Sequence, residues 1–266
     1  MRNIVLRVDV DPVPACRIAT GEVDLWFCFP GEITDSALLQ AYERMISPEE
    51  RRRWTRYHSE DRHQFLVTRA LVRVILSRYA RVAAGSWRYD RNRNGRPHIA
   101  AQSLFPPLSF NLSHTDGLAA CAVSLTPEVG VDVEKCRRLE DSKLAERFFS
   151  LSETRDLRAL PEQAQEGRFF DYWTLKESYI KARGLGLPLP LDQFSFRLRR
   201  GDPIRISFDS ALRDDPSGWQ CWLLQPTATH RAALAVRKSS GVHRLRTRII
   251  VPLREESAVE AGRGSS

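Results

Sequence analysis

The stretch FFDYWTLKESYIKARG, residues 169–184, decides more of the fold than any other part of this chain. We expect it to form a helix that ends at Gly184, because glycine readily takes the left-handed conformation found at helix ends. Trp173, Glu177 and Lys181 recur every fourth residue, so they share one stripe of that helix. A Glu and Lys at this spacing usually form a solvated pair worth about 0.2–0.5 kcal/mol. Whether they do chemistry depends on what the rest of the chain brings to the stripe.

The composition is that of a soluble globular protein. Of the 266 residues, 42% are hydrophobic and 28% are charged, which suits one large or two modest domains. No apolar run reaches the roughly 18–20 residues of a membrane span. Charged residues also occupy the N-terminus, where a signal peptide would need an apolar core. We therefore expect a cytoplasmic protein that has no membrane partner.

Charge and cysteine content narrow the classes of partner. Five cysteines without a C-x-x-C spacing argue against a disulfide framework or a structural zinc site. The 41 Lys and Arg residues outnumber the 33 Asp and Glu residues, which gives a formal net charge of +8. Such a field favours nucleic acid, a phosphate-rich small molecule or an acidic protein, and net charge alone does not choose among them.

Periodicity predicts an order of strand, helices and strands that occurs twice, divided near Pro127. Helices are predicted after Ser47, where Pro48 and Glu50 complete an N-terminal helix signature, and from about Ser59 to Tyr79. The predicted strands lie near 22–29, 109–112, 118–124, 129–134, 194–198, 204–208, 219–224, 232–236 and 246–251. The expected organisation is an N-terminal extension (1–21), an N-terminal α/β subdomain (22–127), a C-terminal α/β subdomain (128–252) and a disordered tail (253–266).

The strand predicted at 129–134 has valines on one face and acids on the other. Asp132 and Glu134 are two residues apart, so their carboxylates project from the same side. Glu177 would add a third hard oxygen donor, and such a set suits Mg²⁺, with Mn²⁺ as an alternative. Two acids on a solvent-facing strand can equally be inert, so a metal site needs support from the other residues.

Donors for a phosphate group occur in several segments of the chain. Those that could serve are Arg69, Arg91, Arg96, Ser113, His114 and Lys181. Ser113 and His114 precede an Asp116-Gly117 hairpin turn. They are not expected to be a nucleophile and its base, because adjacent side chains on extended backbone point to opposite sides. The sequence also has no GxSxG elbow and no Walker lysine loop.

Three runs resemble the signature motifs of the Sfp-type 4′-phosphopantetheinyl transferases. They are FNLSHTDG at 110–117, VGVDVEK at 129–135 and WTLKESYIKARG at 173–184. The 40 residues between Asp132 and Trp173 (133–172) match the family's spacing, and every position of the motif is filled. The resemblance extends to ISPEERRRW at 46–54 and GRP at 95–97, and it covers roughly residues 22–252. Three motifs in order are far more specific than any one of them.

This resemblance implies an α/β (α+β) pseudo-dimer of two similar subdomains, each a small antiparallel sheet packed with a helix. It implies a monomeric enzyme that binds coenzyme A in the cleft between the halves, with Mg²⁺ on the pyrophosphate. The expected reaction transfers 4′-phosphopantetheine to a serine of an acidic apo acyl or peptidyl carrier protein and releases 3′,5′-ADP. Carriers of fatty acid, polyketide and nonribosomal peptide synthesis all remain open.

The resemblance also implies roles for individual residues. Metal ligation falls on Asp132, Glu134 and Glu177. Phosphate binding falls on Ser113, His114 and Lys181, with basic helpers at Arg69, Arg91 and Arg96. Relatives can carry a lysine where this chain has Glu50, so Arg53 is the nearer basic substitute. In catalysis, Lys181 would neutralise charge on the phosphate oxygens, Glu177 is the first choice as general base and Glu134 the second, while Trp173 would only pack.

Two other functions compete with this one. A basic nucleic-acid-binding module would account for the charge, although no helix-turn-helix, RNP or zinc-finger pattern supports it. A Mg²⁺-dependent nucleotide pyrophosphatase could use the same acids, and it would hydrolyse coenzyme A without a carrier protein. The expectation is therefore a transferase without a nucleic-acid partner.

Overall fold

The computed structural model describes residues 16–100, 107–137, 143–184, 189–238, 241–254 and 257–258. Most of the predicted N-terminal extension (1–15) and the end of the predicted tail (259–266) lie outside that part of the chain. The helices are α1 (Ser36–Met45), α2 (Pro48–Trp54), α3 (Ser59–Ser77), α4 (Leu144–Phe148), α5 (Leu151–Arg158) and α6 (Glu162–Arg183). The strands are β1 (Glu22–Cys28), β2 (Tyr89–Arg91), β3 (Pro97–Ile99), β4 (Ser109–Thr115), β5 (Leu118–Ser124), β6 (Val129–Lys135), β7 (Phe194–Arg197), β8 (Arg205–Phe208), β9 (Trp219–Thr227), β10 (His230–Arg237), β11 (Arg244–Ile249) and β12 (Ser257–Ala258).

The N-terminal half is built on a sheet with the strand order β12-β11-β1-β5-β4. Its pairings are antiparallel except that β11 runs parallel to β1, so the expected antiparallel sheet is mixed. A buried ion pair holds the parallel strand, because Arg246 Nε lies 2.5 Å from Oδ1 of the fully buried Asp24. The predicted boundary at 252 therefore assigns β11 to the C-terminal subdomain in sequence, whereas its pairing is with the N-terminal sheet.

The C-terminal half is built on the antiparallel sheet β6-β10-β9, with α6 packed on one face. As predicted, Val129, Val131 and Val133 lie together on the other face, where they are buried. This valine face packs against β1 and β5 of the N-terminal sheet, whose Val23 and Leu25 belong to the same apolar cluster. The two sheets therefore meet face to face, and hydrophobic burial joins the halves.

Helices cover the outer faces of both sheets. The helices α1 and α3 bury their apolar stripes with Trp26 and Phe110 of the N-terminal sheet. Helix α6 does the same with Ala233 and Ala235 of β10. The resulting layers are helices, sheet, sheet and helices, which agrees with the predicted pair of similar α/β subdomains.

Gly130 sets how closely α6 approaches β6. A Cβ atom at this position would collide with the carbonyl oxygen of Ser178 and with the backbone of Ala182. Only glycine permits this contact, so the first residue of the Gly-x-Asp-x-Glu pattern has a packing role. The close approach brings the acidic face of β6 against the stripe of α6 that carries Glu177 and Lys181.

Candidate active site

The acids of β6 and the charged stripe of α6 meet at the junction of the two halves. Lys181 Nζ lies 2.6 Å from Asp132 Oδ1, and the Asp132 side chain is only 5% exposed. Glu134 and Glu177 are half-buried on the facing elements. The alternation of β6 and the four-residue spacing of α6 thus place these four side chains in one site.

Burial raises the pKa of all three carboxyl groups. It does so for Asp132 despite the opposing effects of Lys181 and Ser113. Burial, followed by repulsion from Asp132, raises the pKa of Glu134 to about 7. The same two causes, in the same order, raise the pKa of Glu177. The Asp132 carboxylate therefore makes ionisation of Glu134 and of Glu177 less favourable, which is the condition that a bound cation relieves.

The carboxylates fit a divalent cation that completes its coordination shell elsewhere. Among the described residues, no group of three or more His, Cys, Asp or Glu side chains is arranged to hold a metal ion. However, Asp132 Oδ2 is buried and has no hydrogen-bond partner. Hard oxygen donors of this kind suit Mg²⁺, which retains water or substrate oxygens in its shell. Glu134 and Glu177, which are predicted to hold the metal with Asp132, both lie close enough to feel the Asp132 charge.

Ser113, predicted to bind phosphate, lies against Asp132 and Lys181. Its side chain is buried, with 6% exposed. Its hydroxyl donates to Asp132 Oδ1 at 3.0 Å and accepts from Lys181 Nζ at 2.9 Å and from the Val133 amide at 3.3 Å. A hydroxyl has one proton and two lone pairs, so these contacts use its full capacity. Ser113 therefore contacts both Asp132 and Lys181, the metal and phosphate candidates of the two facing elements.

His114 lies on the opposite side of β4 and is exposed, as expected for neighbouring residues of a strand. Partial desolvation, followed by the positive charges of Arg69 and Lys181, lowers its pKa. His114 is thus electrostatically coupled to a basic residue on either side. The lowered pKa favours the neutral imidazole between Arg69 of α3 and Lys181 of α6.

Arg69 also lines a basic cavity of about 430 Å³ in the N-terminal half. Arg53, Arg69 and Arg91, all predicted to bind phosphate, line it together with side chains of α2, α3 and the β2–β3 hairpin. Arg69 Nε is buried without a hydrogen-bond partner in the described residues. Burial lowers the pKa of Arg69, although the Glu50 carboxylate opposes that effect. An unsatisfied buried guanidinium donor indicates an anionic ligand.

Glu50, which stands where relatives can carry a lysine, lines this cavity and forms hydrogen bonds within its wall. Its Oε2 accepts from the Ser47 amide at 2.8 Å and from Arg73 Nη2 at 2.6 Å. The Ser47 hydroxyl in turn accepts from the Glu50 amide, which completes the predicted capping box of α2. Glu50 therefore fixes the start of α2 and pairs with Arg73, and Arg53 remains a basic group of the cavity.

Arg96 does not point into the cavity, contrary to the expectation that it assists phosphate binding. Its guanidinium donates to the carbonyl oxygens of Ala182 at 2.7 Å, Val129 at 2.8 Å and Pro127 at 3.2 Å. Asn92 and Asn94 of the same hairpin both donate to Gly184 O at 2.9 Å. These donors satisfy carbonyls that the end of α6 leaves without intrahelical partners. The hairpin therefore holds the end of α6 in place. Of its two arginines that are predicted to help bind phosphate, Arg91 is the one that lines the cavity.

Two residues of the α6 motif have roles that the sequence patterns did not reveal. Lys176 is fully buried and forms an ion pair with Glu153. The capping box of Ser150 and Glu153 is the only feature of the sequence that marks this pair, and it marks only Glu153. Trp173 packs edge-on against Phe148 at a centroid distance of 5.5 Å, as expected of a packing residue. A hydrogen bond from Trp173 also favours the charged form of Glu134. Trp173 therefore contacts the site as well as the core.

Comparison with known proteins identifies the family. The model of the 4′-phosphopantetheinyl transferase superfamily matches residues 128–236, and that of the 4′-phosphopantetheinyl transferase N-terminal region matches residues 34–126. The 4′-phosphopantetheinyl transferase HetI of Nostoc sp. is 34% identical over 224 residues, which span 84% of this chain and 91% of HetI. This chain belongs to the 4′-phosphopantetheinyl transferase family.

A second relative within this family is the 4′-phosphopantetheinyl transferase Sfp of Bacillus subtilis. It is 37% identical over 168 residues, which span 63% of this chain and 73% of Sfp. Among solved structures, the holo-[acyl-carrier-protein] synthase of Helicobacter pylori in complex with coenzyme A matches with a TM-score of 0.34 and 18% identity, over 41% of this chain and 98% of that chain. The predicted Sfp-type phosphopantetheinyl transferase is confirmed by the family models and the two relatives.

Membrane insertion through a helix finds no support in the structure. Within the described ranges, no helix has both the length and the apolarity needed to cross a bilayer.

Proposed function

We propose that this phosphopantetheinyl transferase moves the 4′-phosphopantetheine group of coenzyme A to a serine of an acidic apo acyl or peptidyl carrier protein. The observation that carries the proposal is the basic cavity lined by Arg53, Arg69 and Arg91, together with Lys181 beside the buried Asp132. Two separate groups of positive charge suit a ligand with phosphates at more than one point along its length. Coenzyme A has a 3′-phosphate at one end of its nucleotide and a pyrophosphate at the other.

The basic cavity would take the adenosine 3′-phosphate end. Its volume of about 430 Å³ falls within the usual range for small-molecule pockets. Arg53, Arg69 and Arg91 supply planar guanidinium groups, which suit phosphate oxygens. His114 and Lys181 would then follow the pyrophosphate toward the carboxylates.

In the chemical step, the serine oxygen forms a bond to the phosphorus nearest the pantetheine arm, and the bond from that phosphorus to the bridging oxygen breaks. The leaving group is 3′,5′-ADP. Lys181 uses two of its donors on Ser113 and Asp132, so a third remains for a phosphate oxygen. Mg²⁺, or Mn²⁺, held by Asp132, Glu134 and Glu177 would supply further neutralisation of the phosphate charge.

The serine proton needs an acceptor near the attacking oxygen. Glu177 is the first choice, because it lies one helical turn before Lys181 on the same stripe of α6. Glu134 is the second choice. Lys181 lies on the same stripe as Glu177 and would hold the phosphate in line with the incoming serine.

The acidic carrier protein is proposed from charge. With a net charge of +8, the enzyme attracts acidic partners over distances of about a Debye length. Added salt should raise the apparent KM for the carrier more than it lowers kcat. We propose that the enzyme is a cytoplasmic monomer, since its two halves already form the pseudo-dimer that encloses the site.

The deciding experiment mixes the enzyme, coenzyme A and Mg²⁺ with a panel of apo carriers of fatty acid, polyketide and nonribosomal peptide synthesis. Mass spectrometry should show the addition of one phosphopantetheine to at least one carrier, and an equal amount of 3′,5′-ADP should appear. Release of 3′,5′-ADP without any carrier would favour the pyrophosphatase instead. No addition to any carrier would overturn the proposal, and binding of nucleic acid at physiological salt would favour the binding module.

A further inference from the structure

The tips of two hairpins, one from each half, meet beside the candidate site. The β4–β5 turn consists of Asp116 and Gly117, and it follows the strand end that carries His114. His230, the first residue of β10, reaches this turn from the C-terminal half, and its Nε2 lies 2.9 Å from the Asp116 carbonyl oxygen. His230 is only 6% exposed, so this contact is shielded from water.

The hydrogen bonds around His230 fix which ring nitrogen carries the proton. A carbonyl oxygen can only accept, so Nε2 carries the proton that it donates to Asp116 O. On the other side of the ring, Nδ1 lies 2.7 Å from the Thr227 hydroxyl, which itself accepts from the Thr229 amide at 3.2 Å. The one proton of the Thr227 hydroxyl is therefore available to Nδ1. Both nitrogens of the neutral imidazole are satisfied, and the ring is held in one orientation.

A β-bulge in β9 lies directly beside this histidine. Three residue steps separate Leu224 from Thr227 in β9, whereas only two steps separate their partners in β10. The extra residue falls next to Pro226, and a proline suits such a break because it has no N–H group to donate to the ladder. Bulges commonly re-aim a side chain next to a functional site. The position of this bulge brings the Thr227 hydroxyl to the ring of His230.

Lys135 makes a second contact with the same turn. Its Nζ lies 2.6 Å from Asp116 Oδ2, but the two side chains are 46% and 78% exposed, so this pair contributes little. The His230 ring also packs against the turn, since a Cβ on Gly117 would lie 3.7 Å from its Cε1 and Nε2. Of these two contacts with Asp116, only that of His230 is buried.

We infer that His230 is a positioning residue, which holds the β4–β5 turn against the acid-bearing sheet and so fixes the spacing between His114 and the carboxylates. This inference rests on the proposed function, in which His114 follows the pyrophosphate and the acids hold the cation. His230 lies opposite Lys135 of β6, the residue after Glu134, so it belongs to the sheet that carries the acids. A ligand that contacts both elements needs this spacing in the reaction, and a misplacement of about 1 Å can cost about 100-fold in rate.

The role of His230 concerns the chemical step more than affinity. The cavity lined by Arg53, Arg69 and Arg91 lies wholly in the N-terminal half, so its geometry does not depend on His230. Binding of the nucleotide end should persist when the turn is released, whereas alignment of the pyrophosphate should suffer. Loss of the His230 bond is therefore expected to lower kcat and to leave the Kd for coenzyme A nearly unchanged.

The test compares two variants of His230 with a matched control. His230→Leu removes the donor to Asp116 O and should lower kcat about tenfold, with the calorimetric Kd for coenzyme A within about threefold of wild type. His230→Gln, whose amide nitrogen reaches about as far as Nε2, should recover most of the kcat. The control is Tyr42→Phe, which removes another buried donor to a carbonyl, the 2.7 Å bond from Tyr42 to Pro252 O. It should lower Tm by a similar amount and keep kcat within about twofold.

A readout that needs no turnover accompanies the kinetics. In ¹⁵N-labelled enzyme, the Gly117 amide should be as ordered as the rigid backbone in wild type, His230→Gln and Tyr42→Phe, and less ordered in His230→Leu. The ring of His230 in wild type should show a proton on Nε2 and none on Nδ1. If His230→Leu does not fold, His230→Asn takes its place, because its shorter amide does not reach Asp116 O. The same losses are expected for it.

Four results would overturn the inference. A Gly117 amide that stays ordered in His230→Leu would show that His230 does not hold the turn. Wild-type kcat in His230→Leu would show that the turn does not matter for the reaction. A loss in His230→Gln as large as that in His230→Leu would exclude the donated hydrogen bond as the cause. A tenfold weaker Kd with unchanged kcat would make His230 part of the binding site. An inactive wild type would instead count against the proposed function, and the relaxation measurement would still decide whether His230 holds the turn.

Discussion

The ammonium of Lys176 lies 2.8 Å from the carboxylate of Glu153, and neither side chain is exposed to solvent. Lys176 also donates to the carbonyl oxygens of Leu191 at 2.7 Å and Phe194 at 2.6 Å, while Glu153 accepts from the Phe196 amide at 2.8 Å. Every donor of the ammonium is therefore used inside the C-terminal half. Of the two lysines in the α6 motif, Lys176 ties the helix to α5 and β7, and Lys181 serves the site.

Lys176→Met should destabilise the enzyme by about 3–5 kcal/mol, because it leaves the Glu153 carboxylate buried and unpaired. The double variant Lys176→Met with Glu153→Leu should recover much of that loss, since it removes both charges. Urea denaturation measures both free energies. The matched control is Lys135→Ala, which breaks the ion pair between Lys135 (46% exposed) and Asp116 (78% exposed). This variant should lower the free energy of unfolding by less than about 1 kcal/mol. A stable but inactive Lys176→Met variant would instead place Lys176 in the catalytic site.

Glu177→Gln should abolish most of the activity without lowering stability. Loss of a general base typically costs about 10²–10⁴-fold in rate. Burial raises the pKa of Glu177, so an uncharged amide removes a repulsion from Asp132 and should leave Tm equal to or above that of wild type. Transfer assays and thermal unfolding of the same preparation check both halves of this prediction. Activity equal to wild type would exclude Glu177 as the base.

The site was predictable to the extent that it depends on periodicity. A strand alternates faces and a helix returns every fourth residue, so Asp132, Glu134, Glu177 and Lys181 follow from spacing once the two elements pack together. The valine face of β6 likewise follows from alternation. Roles set by contacts distant in sequence could not be predicted in this way. Nothing local to residue 96 shows that its guanidinium donates to three carbonyls of other segments.

Gly130→Ala should disrupt the site through packing. The new methyl group would collide with Ser178 O and the Ala182 backbone, so α6 must move away from β6. Overpacking of this kind typically costs about 1–3 kcal/mol. Displacement of Lys181 and Glu177 from Asp132 should lower kcat as well. Thermal unfolding and transfer assays should both show a loss, and Gly31→Ala, where a Cβ has no neighbour within 4 Å, is the control. A Gly130→Ala enzyme with wild-type Tm and kcat would contradict the role given to this contact.

Arg69→Met should weaken binding of coenzyme A about tenfold and change Tm little, because it removes an unsatisfied donor of the basic cavity. Dephospho-coenzyme A, which has no 3′-phosphate, should be affected much less. Arg96→Met should show the reverse pattern, a lower Tm with a smaller effect on affinity, since Arg96 holds the end of α6. Calorimetry with both ligands distinguishes the two arginines. Equal losses for coenzyme A and its dephospho form in Arg69→Met would place the 3′-phosphate elsewhere.

The N-terminal sheet shows a second limit of sequence patterns. Strand β11 is visible as an apolar alternation near residues 246–251, but its partner is not. It crosses to the other half and pairs parallel with β1, where Arg246 meets the buried Asp24. Two charged residues separated by more than two hundred positions give no local signal. A division of the chain at one position therefore does not show which sheet this strand joins.

The three carboxyl groups of the site should make stability depend on pH and on divalent cations. Glu134 has a pKa of about 7 in the folded protein, above the value of about 4.3 expected when unfolded. Between these two pH values the folded state binds more protons, so the free energy of unfolding falls as pH rises through that window. Because Glu134 is only half-buried, solvent screening limits its contribution to the free energy of unfolding to about 1 kcal/mol, which is roughly 2–4 °C in Tm. Added Mg²⁺ should oppose this loss, and its effect on Tm should be larger at pH 8 than at pH 5.

Glu134→Gln should raise Tm at pH 8 without metal and reduce the response to Mg²⁺, whereas Glu162→Gln, which changes an exposed carboxylate of α6, should do neither. Differential scanning calorimetry across pH 5–8, with Mg²⁺ or with a chelator, measures Tm under each of these conditions. The chelator should also abolish carrier modification, and Mn²⁺ should restore it. A Mg²⁺ effect of the same size at both pH values would show that the cation binds away from these acids, because protonation of Glu134 must weaken a site that includes its carboxylate.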